Sequence, residues 1–380
     1  MVVRAQVADL VTGDRIQTLP TKDISWVRRI LSPETLDVSM TLAPRAHQRL
    51  DVRNSTVEVK SALVISDDDV VLGAGPIWER DYDDDTAQWS GSAEGIWSLL
   101  EHSHVLPESV TSLPLLVEAD GVDEPNPAVA TTFTAQTWPQ IVKGLLQQRA
   151  TRPGGALPLV YGADGTGAHD KTYDAASFKT IGEALQDLTR LIDGPEIEFK
   201  PQIVNNKLRW LVRVGDDAQR ELKSQTVHLF DFTARKRSVK GLKTRSSGRG
   251  LASEVWGTGG RQASKALFSR AASSRLTDAG FPRMEQVSSA HSTVVEQPTL
   301  DKYTQQDLVL ASAPLEWWSF EFHADQQPRL ADVSVGDMCI VRLKNNRYLP
   351  DGEHVRRIVG MSGSSSTRWV KVITDEVSTW

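Results

Sequence analysis

Only a few short patterns in this chain have the residue types and spacing that chemistry needs. Gly360-Met361-Ser362-Gly363-Ser364 comes nearest to the G-x-S-x-G elbow of serine hydrolases, whose glycines allow the sharp turn that lifts the serine hydroxyl. Its fifth position is serine, and its surroundings read as a turn between strands, so no acyl-transfer site is assigned. Asp81, Asp83 and Asp85 alternate as the first oxygen ligands of a calcium loop do, but Thr86 stands where glycine and Ser92 where glutamate should be. An EF-hand is excluded, while a looser calcium site and a solvated hairpin turn both stay open. His102 and His104 would face one way on a strand, yet zinc needs further ligands and none accompanies them. Gly257-Thr258-Gly259-Gly260 does not complete a dinucleotide fingerprint, and no Walker or zincin sequence occurs. Trp317-Trp318 suits either a sugar platform or a strand with one ring in the core. With 49 acids, a glycosidase carboxylate pair cannot be picked out by inspection. No catalytic residue, metal ligand set or cofactor is therefore assigned.

Charge is unevenly spread. The net charge of −6 argues against general nucleic-acid binding, but the stretch between Asp231 and Glu254 has no acid and seven bases, from Arg235, Lys236 and Arg237 to Arg249. That stretch suits a solvated hairpin, a DNA contact or a contact with an acidic subunit. Asp83, Asp84 and Asp85 are the candidate acidic counterpart, placing Asp83–Asp85 and Arg235–Arg237 on opposite sides of a subunit interface.

These residues must be held by a β-rich framework. Alternation marks Leu36–Met40 and Thr56–Lys60 as strands, with turns at Thr12-Gly13-Asp14, Ser32-Pro33, Ser66–Asp69 and Asp83–Asp85. A helix is predicted from the Thr137 cap to Ala150, with Trp138, Ile141, Val142, Leu145 and Leu146 on one stripe. A second is predicted over Ser177–Ile192, with Phe178, Ile181, Leu185, Leu188 and Ile192 inward and Gly194-Pro195 ending it. A hairpin over Ile197–Val214 turns at Asn205-Asn206. Later helices are expected up to Ala279-Gly280 and over Thr299–Ala313, with strands over 317–323, 330–343 and 355–373. Cys339, alone in the chain, reads as a small buried hydrophobe and excludes an intramolecular disulfide. No apolar run is long enough to span a membrane, and Met1-Val2-Val3-Arg4 does not begin a signal peptide.

A series of fragments then adds to this reading. Asp23-Ile24-Ser25-Trp26, Gly75-Pro76-Ile77-Trp78, Tyr82–Thr86, Glu94-Gly95-Ile96-Trp97, Val105-Leu106-Pro107, Asp193–Ile197, Trp256-Gly257-Thr258-Gly259, Asp278–Pro282, Trp318–Glu321 and Leu349–Gly352 occur in this order along nearly the whole chain. Together they resemble the hub-like minor tail proteins of siphophages that infect actinobacteria. The resemblance implies an α+β, β-rich fold of two small antiparallel β-barrel domains with inserted α+β domains. The barrels and insertions are expected as residues 1–100, 101–227, 228–330 and 331–380, the last completing a barrel. It further implies a homotrimer at the virion tail tip that continues and closes the tail tube. The implied partners are the distal tail protein, the tape measure protein and tail fibre or receptor-binding proteins, with transient DNA passage and no stable membrane association. The alternatives are a carbohydrate- or receptor-binding tail protein, marked by clustered exposed tryptophans, and a cell-wall hydrolase.

Overall fold

Short-range alternation of apolar and polar residues turns nearly half of the chain into strands. The structure, a computed structural model, describes residues 3–43, 45–68, 70–119, 121–191, 194–224, 226–235, 238–262, 265–289, 294, 296–375 and 377–378. It divides into two units, Met1–Lys240 with Phe320–Val372, and Gly241–Ser319 with Ile373–Trp380. No helix among the described residues is long and apolar enough to cross a membrane.

The first unit begins with β1 (Val3–Asp9), β2 (Arg15–Leu19), β3 (Asp23–Arg29), β4 (Ser32–Thr41), β5 (Ser61–Asp67), β6 (Val70–Asp83) and β7 (Gln88–Glu94). They pair antiparallel in the order β3-β4-β7-β6-β5-β1-β2. Leu36, Val38 and Met40 are buried at alternate positions of β4, as their spacing predicts. Thr56–Lys60 does not form the expected strand. Its residues follow a helical turn (Val52–Ser55), Thr56 Oγ1 donates back to the Val52 carbonyl, and Val59 takes a left-handed φ of 60° that breaks extension. Ser32-Pro33 opens β4 instead of turning; Leu31, at φ 56°, makes the turn.

An α+β segment follows. The hairpin of β8 (Leu116–Ala119) and β9 (Val122–Pro125) is a two-stranded sheet on its own, and β10 (Thr131–Gln136) pairs with β12 (His169–Tyr173). β11 (Leu159–Tyr161), β14 (Lys207–Val214) and β13 (Ile197–Val204) form a three-stranded sheet whose hairpin turns at Asn205 and Asn206, both at positive φ. Two capping boxes start the helices over Trp138–Ala150 and Ile181–Thr189, the first with Thr137 and Gln140, the second with Thr180 and Glu183. The second box explains why the later helix is shorter than expected. Phe178, expected inward, precedes the cap at φ 47° and is 51% exposed. Ile192 lies outside the described residues. The apolar stripes of both helices pack on β13 and β14 around Trp210, which is fully buried and donates Nε1 to the Ala74 carbonyl of β6 at 3.3 Å. Gly13, at φ 72°, lets the Leu208 amide reach its carbonyl at 2.7 Å; a Cβ there would sit 2.1 Å from the Leu208 oxygen.

Further along come β15 (Val227–Asp231), β16 (Val239–Ser247), β20 (Leu315–His323), β21 (Met338–Leu343), β22 (Gly352–Ser364) and β23 (Trp369–Thr374); β15 runs parallel to β21, which pairs antiparallel with the first half of β22. The second half of β22 joins β3, so one strand splices the two groups. The expected strand over 330–343 begins only at Met338, because Leu330–Asp332 is a helical turn and Gly336, at φ 96°, turns the chain. Cys339 is buried, and no pairing among the described residues closes the strand path into a ring.

In the second unit, β17 (Glu254–Gln262) lies between β18 (Lys265–Ala272) and β19 (Glu285–Ser288). A helix over Gln297–Leu310 presents Leu300, Thr304 and Leu308 inward, and a small core of Ala252, Val255, Ala271, Leu308 and Ala311 results. Trp318 is buried beside half-buried Trp317, the division that adjacent strand positions require.

Trp210→Ala should destabilise the first unit by about 3–5 kcal/mol, the usual cost of emptying a large aromatic site. The measurement is hydrogen exchange of the Ile181–Thr189 amides under increasing urea; an unchanged protection midpoint would contradict this packing.

Candidate functional site: a buried charge junction

Arg28 sits in the inward phase of β3, after Ile24 and Trp26, and only 7% of it is exposed. An arginine cannot lose its charge, so a buried one needs fixed acceptors. Its Nη2 donates to Glu198 of β13 at 2.6 Å, and the other Glu198 oxygen accepts from Arg213 of β14 at 2.7 Å. Glu198 and Arg213 are cross-strand partners, so the hairpin itself sets this second bond. Glu34, near the start of β4, lies 3.9 Å from Arg28 Nε. Gly95 donates its amide to the Glu34 carbonyl at 2.8 Å, and a Cβ on Gly95 would come 2.2 Å from Glu34 Oε2, so only glycine leaves room for this carboxyl. Burial pushes the Glu34 carboxyl up to about 7; Arg28 opposes that shift and Glu198 adds to it.

A second link lies along the same segment. Arg357 of β22 grips Glu196 in a fork, with Nη1 at 2.6 Å and Nη2 at 2.5 Å from its two oxygens, and donates Nε to the Gly336 carbonyl. The Leu222 amide completes Glu196. Asp337 next to it accepts from Ser334 N–H at 2.8 Å and meets Nε2 of buried His228 at 2.9 Å. Lys200, half-way along β13, has its affinity for a proton lowered by burial first, and then by Arg28. Elsewhere in the unit Arg368 bridges Asp67 and Asp325, which raises its pKa further.

This arrangement fastens sheets together and leaves little space for a substrate. The cavity lined by Arg28, Glu34, Trp97, Glu198 and Phe199 measures about 20 Å³, room for one water. A cleft of about 260 Å³ beside Arg28 and Lys200 is lined by apolar side chains such as Trp26, Leu72, Ile203 and Met361, together with the polar Gln202 and Ser334.

The residues singled out by sequence fall elsewhere. Asp83, Asp84 and Asp85 are exposed at the β6–β7 turn, where Asp83 Oδ1 accepts the amides of Asp85 and Thr86. Arg235 is exposed; Lys236 and Arg237 lie outside the described residues. No ion pair among the described residues of one copy joins Arg235 to these aspartates. The ring of His102 lies 4.9 Å from that of Trp78 at a tilt of 37°, while His104 is held by the Phe178 carbonyl at 2.7 Å, so the two have different partners. Among the described residues no group of three or more His, Cys, Asp or Glu could hold a metal. Gly360–Ser364 runs within β22 instead of forming a turn, with Ser362 opposite Val27, which removes the elbow geometry. The junction itself was not picked out; its signal in the sequence was Arg28 continuing the inward alternation of Ile24 and Trp26.

A scan against family models and a search of curated proteins match nothing. Solved structures do match. The 43 kDa tail protein of prophage MuSo2 from Shewanella oneidensis shares 12% identity at a TM-score of 0.57, over 98% of each chain. A tail protein from Neisseria meningitidis MC58 shares 10% identity at a TM-score of 0.59, over 98% of this chain and 96% of that one. This chain has a phage tail-protein fold. A PdpA–VgrG complex chain matches 98% of this chain over 64% of its own length, at 8% identity and a TM-score of 0.50. The α+β, β-rich class expected from the sequence holds in this tail-protein fold.

The raised Glu34 pKa has a definite sign. Folded protein binds an extra proton between the unfolded value of 4.5 and about 7. Stability should therefore fall as pH rises through that window, by roughly 3 kcal/mol, and level off above it. Glu34→Gln should flatten this slope in urea titrations at pH 5 and pH 8; an unchanged slope would contradict the assignment.

Proposed function

We propose that the chain is a structural subunit of a phage tail tip, a hub that continues and closes the tail tube. In this reading it belongs to a siphophage of an actinobacterium. It assembles as three copies and joins the distal tail protein and tape measure to host-binding fibres or receptor-binding proteins. The observation that carries the reading is the match of fold over nearly all of this chain and nearly all of two tail proteins. The charge junction supports it. Acids and bases that could have lined a reactive cleft are spent on binding one sheet to another, which suits a part that carries load. The separation of the chain into an acidic turn, Asp83–Asp85, and a basic stretch from Arg235 supports contacts between copies. Heterologous contacts of that kind close into rings when their rotation allows.

The carbohydrate-binding alternative asks for clustered exposed tryptophans. Among the described tryptophans only Trp256 is exposed, at 41%, and Arg270 lies over its ring. That isolated ring does not favour a sugar platform over a structural role.

Gold-labelled antibody against the chain should decorate one end of phage tails, seen by electron microscopy of particles induced from a strain that carries its gene. Label spread along the tail or absent from particles would overturn the hub reading.

A further inference from the structure

The open edge of β15 is the least explained surface of the first unit. Among the described residues β15 pairs with β21 alone. The bond from the Phe232 amide to the Arg342 carbonyl sets the phase of that parallel ladder, with residues 228, 230 and 232 facing β21. The amides and carbonyls of Val227, Leu229 and Asp231 therefore point away from it. Val227 and Leu229 are also 52% and 41% exposed, and Val355, opposite Ile340 two strands over, is 56% exposed. A groove of about 430 Å³ runs along this edge, floored by Ala234, Ser238, Gln327 and Pro328. A bare apolar edge of this kind is a template for another strand.

The same unit carries a strand pair that lacks a sheet. Among the described residues the β8–β9 hairpin pairs only with itself, every residue of β9 is exposed, and Leu116 and Val122 are 45% and 61% exposed. An isolated two-stranded hairpin is marginal in water, so this one gains most from an added neighbour. Charge selects the match. Between Arg80 and Lys143 the sequence has eleven acids and no lysine or arginine, whereas the stretch after Asp231 has seven bases before the next acid at Glu254.

We propose that the β8–β9 hairpin of one copy adds to the open edge of β15 in a second copy. The contact is head-to-tail, with Glu118, Asp123 and Glu124 of the hairpin facing Arg235, an exposed base just after β15. Each copy then keeps one free hairpin and one free edge, so contacts propagate until they close. The proposal names the contact surface of the assembly inferred above and depends on that reading only for closure into a ring.

The test uses two full-length chains, one with Val122→Cys and one with Val227→Cys, mixed at low salt with a flexible bismaleimide. Native Cys339 is fully buried and does not compete. Mixed chains should cross-link about tenfold faster than either chain alone, because docking raises the local concentration of the pair. Leu229→Pro in the second chain should abolish the excess; it removes only an amide aimed at the open edge, and circular dichroism checks that the fold persists. Glu118→Lys with Asp123→Lys and Glu124→Lys in the first chain should do the same. Equal rates in all mixtures, or an excess that survives these variants, would overturn the proposal. Equal rates with tails still labelled at one end would remove this contact and keep the tail reading. A hairpin-dependent excess with unlabelled tails would keep the contact and remove that reading.

Discussion

The first unit depends on how a permanently charged arginine is kept inside a β-layered protein. Arg28 occupies a core-facing strand position where an apolar residue would be ordinary, and its stability there comes from Glu198 and, more distantly, Glu34. Breaking such a pair by removing one partner costs about 3–5 kcal/mol, because the remaining charge stays buried. The sheet carrying Arg28 and the hairpin carrying Glu198 are thus held to one register. Hydrophobic burial alone tolerates sliding; a charge with one set of acceptors does not. Arg357 and Glu196 repeat the device one step along the chain, so β13 and the segment before it are fastened to β3 and to β22.

These fastenings shape what the protein is suited to do. Catalysis usually calls for a titratable group facing a cavity, with its pKa tuned toward a substrate. Here the strongly raised carboxyl, Glu34, faces Arg28, the Gly95 backbone and a space fit for one water. The chain's surplus of strand edges and charged turns lies outside this frame. A fastened interior with open strand edges is the division of labour that the proposed tail subunit would need.

Local rules made much of the fold legible. The Thr137 cap, the stripe from Trp138 to Leu146, and the Asn205-Asn206 hairpin follow from propensity and period within a few residues. Where reading failed, a neighbouring local preference won. The Thr180–Glu183 box claimed the start of a helix from Phe178, and the left-handed Val59 ended an alternation that looked like a strand. The charge junction was illegible for a different reason. Arg28 and Glu198 are 170 residues apart, and Glu196 and Arg357 are 161, so no window along the chain shows them as pairs. The exposed acids Asp83–Asp85 and the exposed base Arg235, which we propose face one another across a subunit interface, show in the sequence only as a charge imbalance.

The most direct measurement is the solution mass of the purified chain across concentration, paired with negative-stain images. Three-fold rings with a central hole, at close to three times the 41.9 kDa chain mass, are the predicted result. A compact particle that stays at the mass of one chain up to the highest soluble concentration would contradict it.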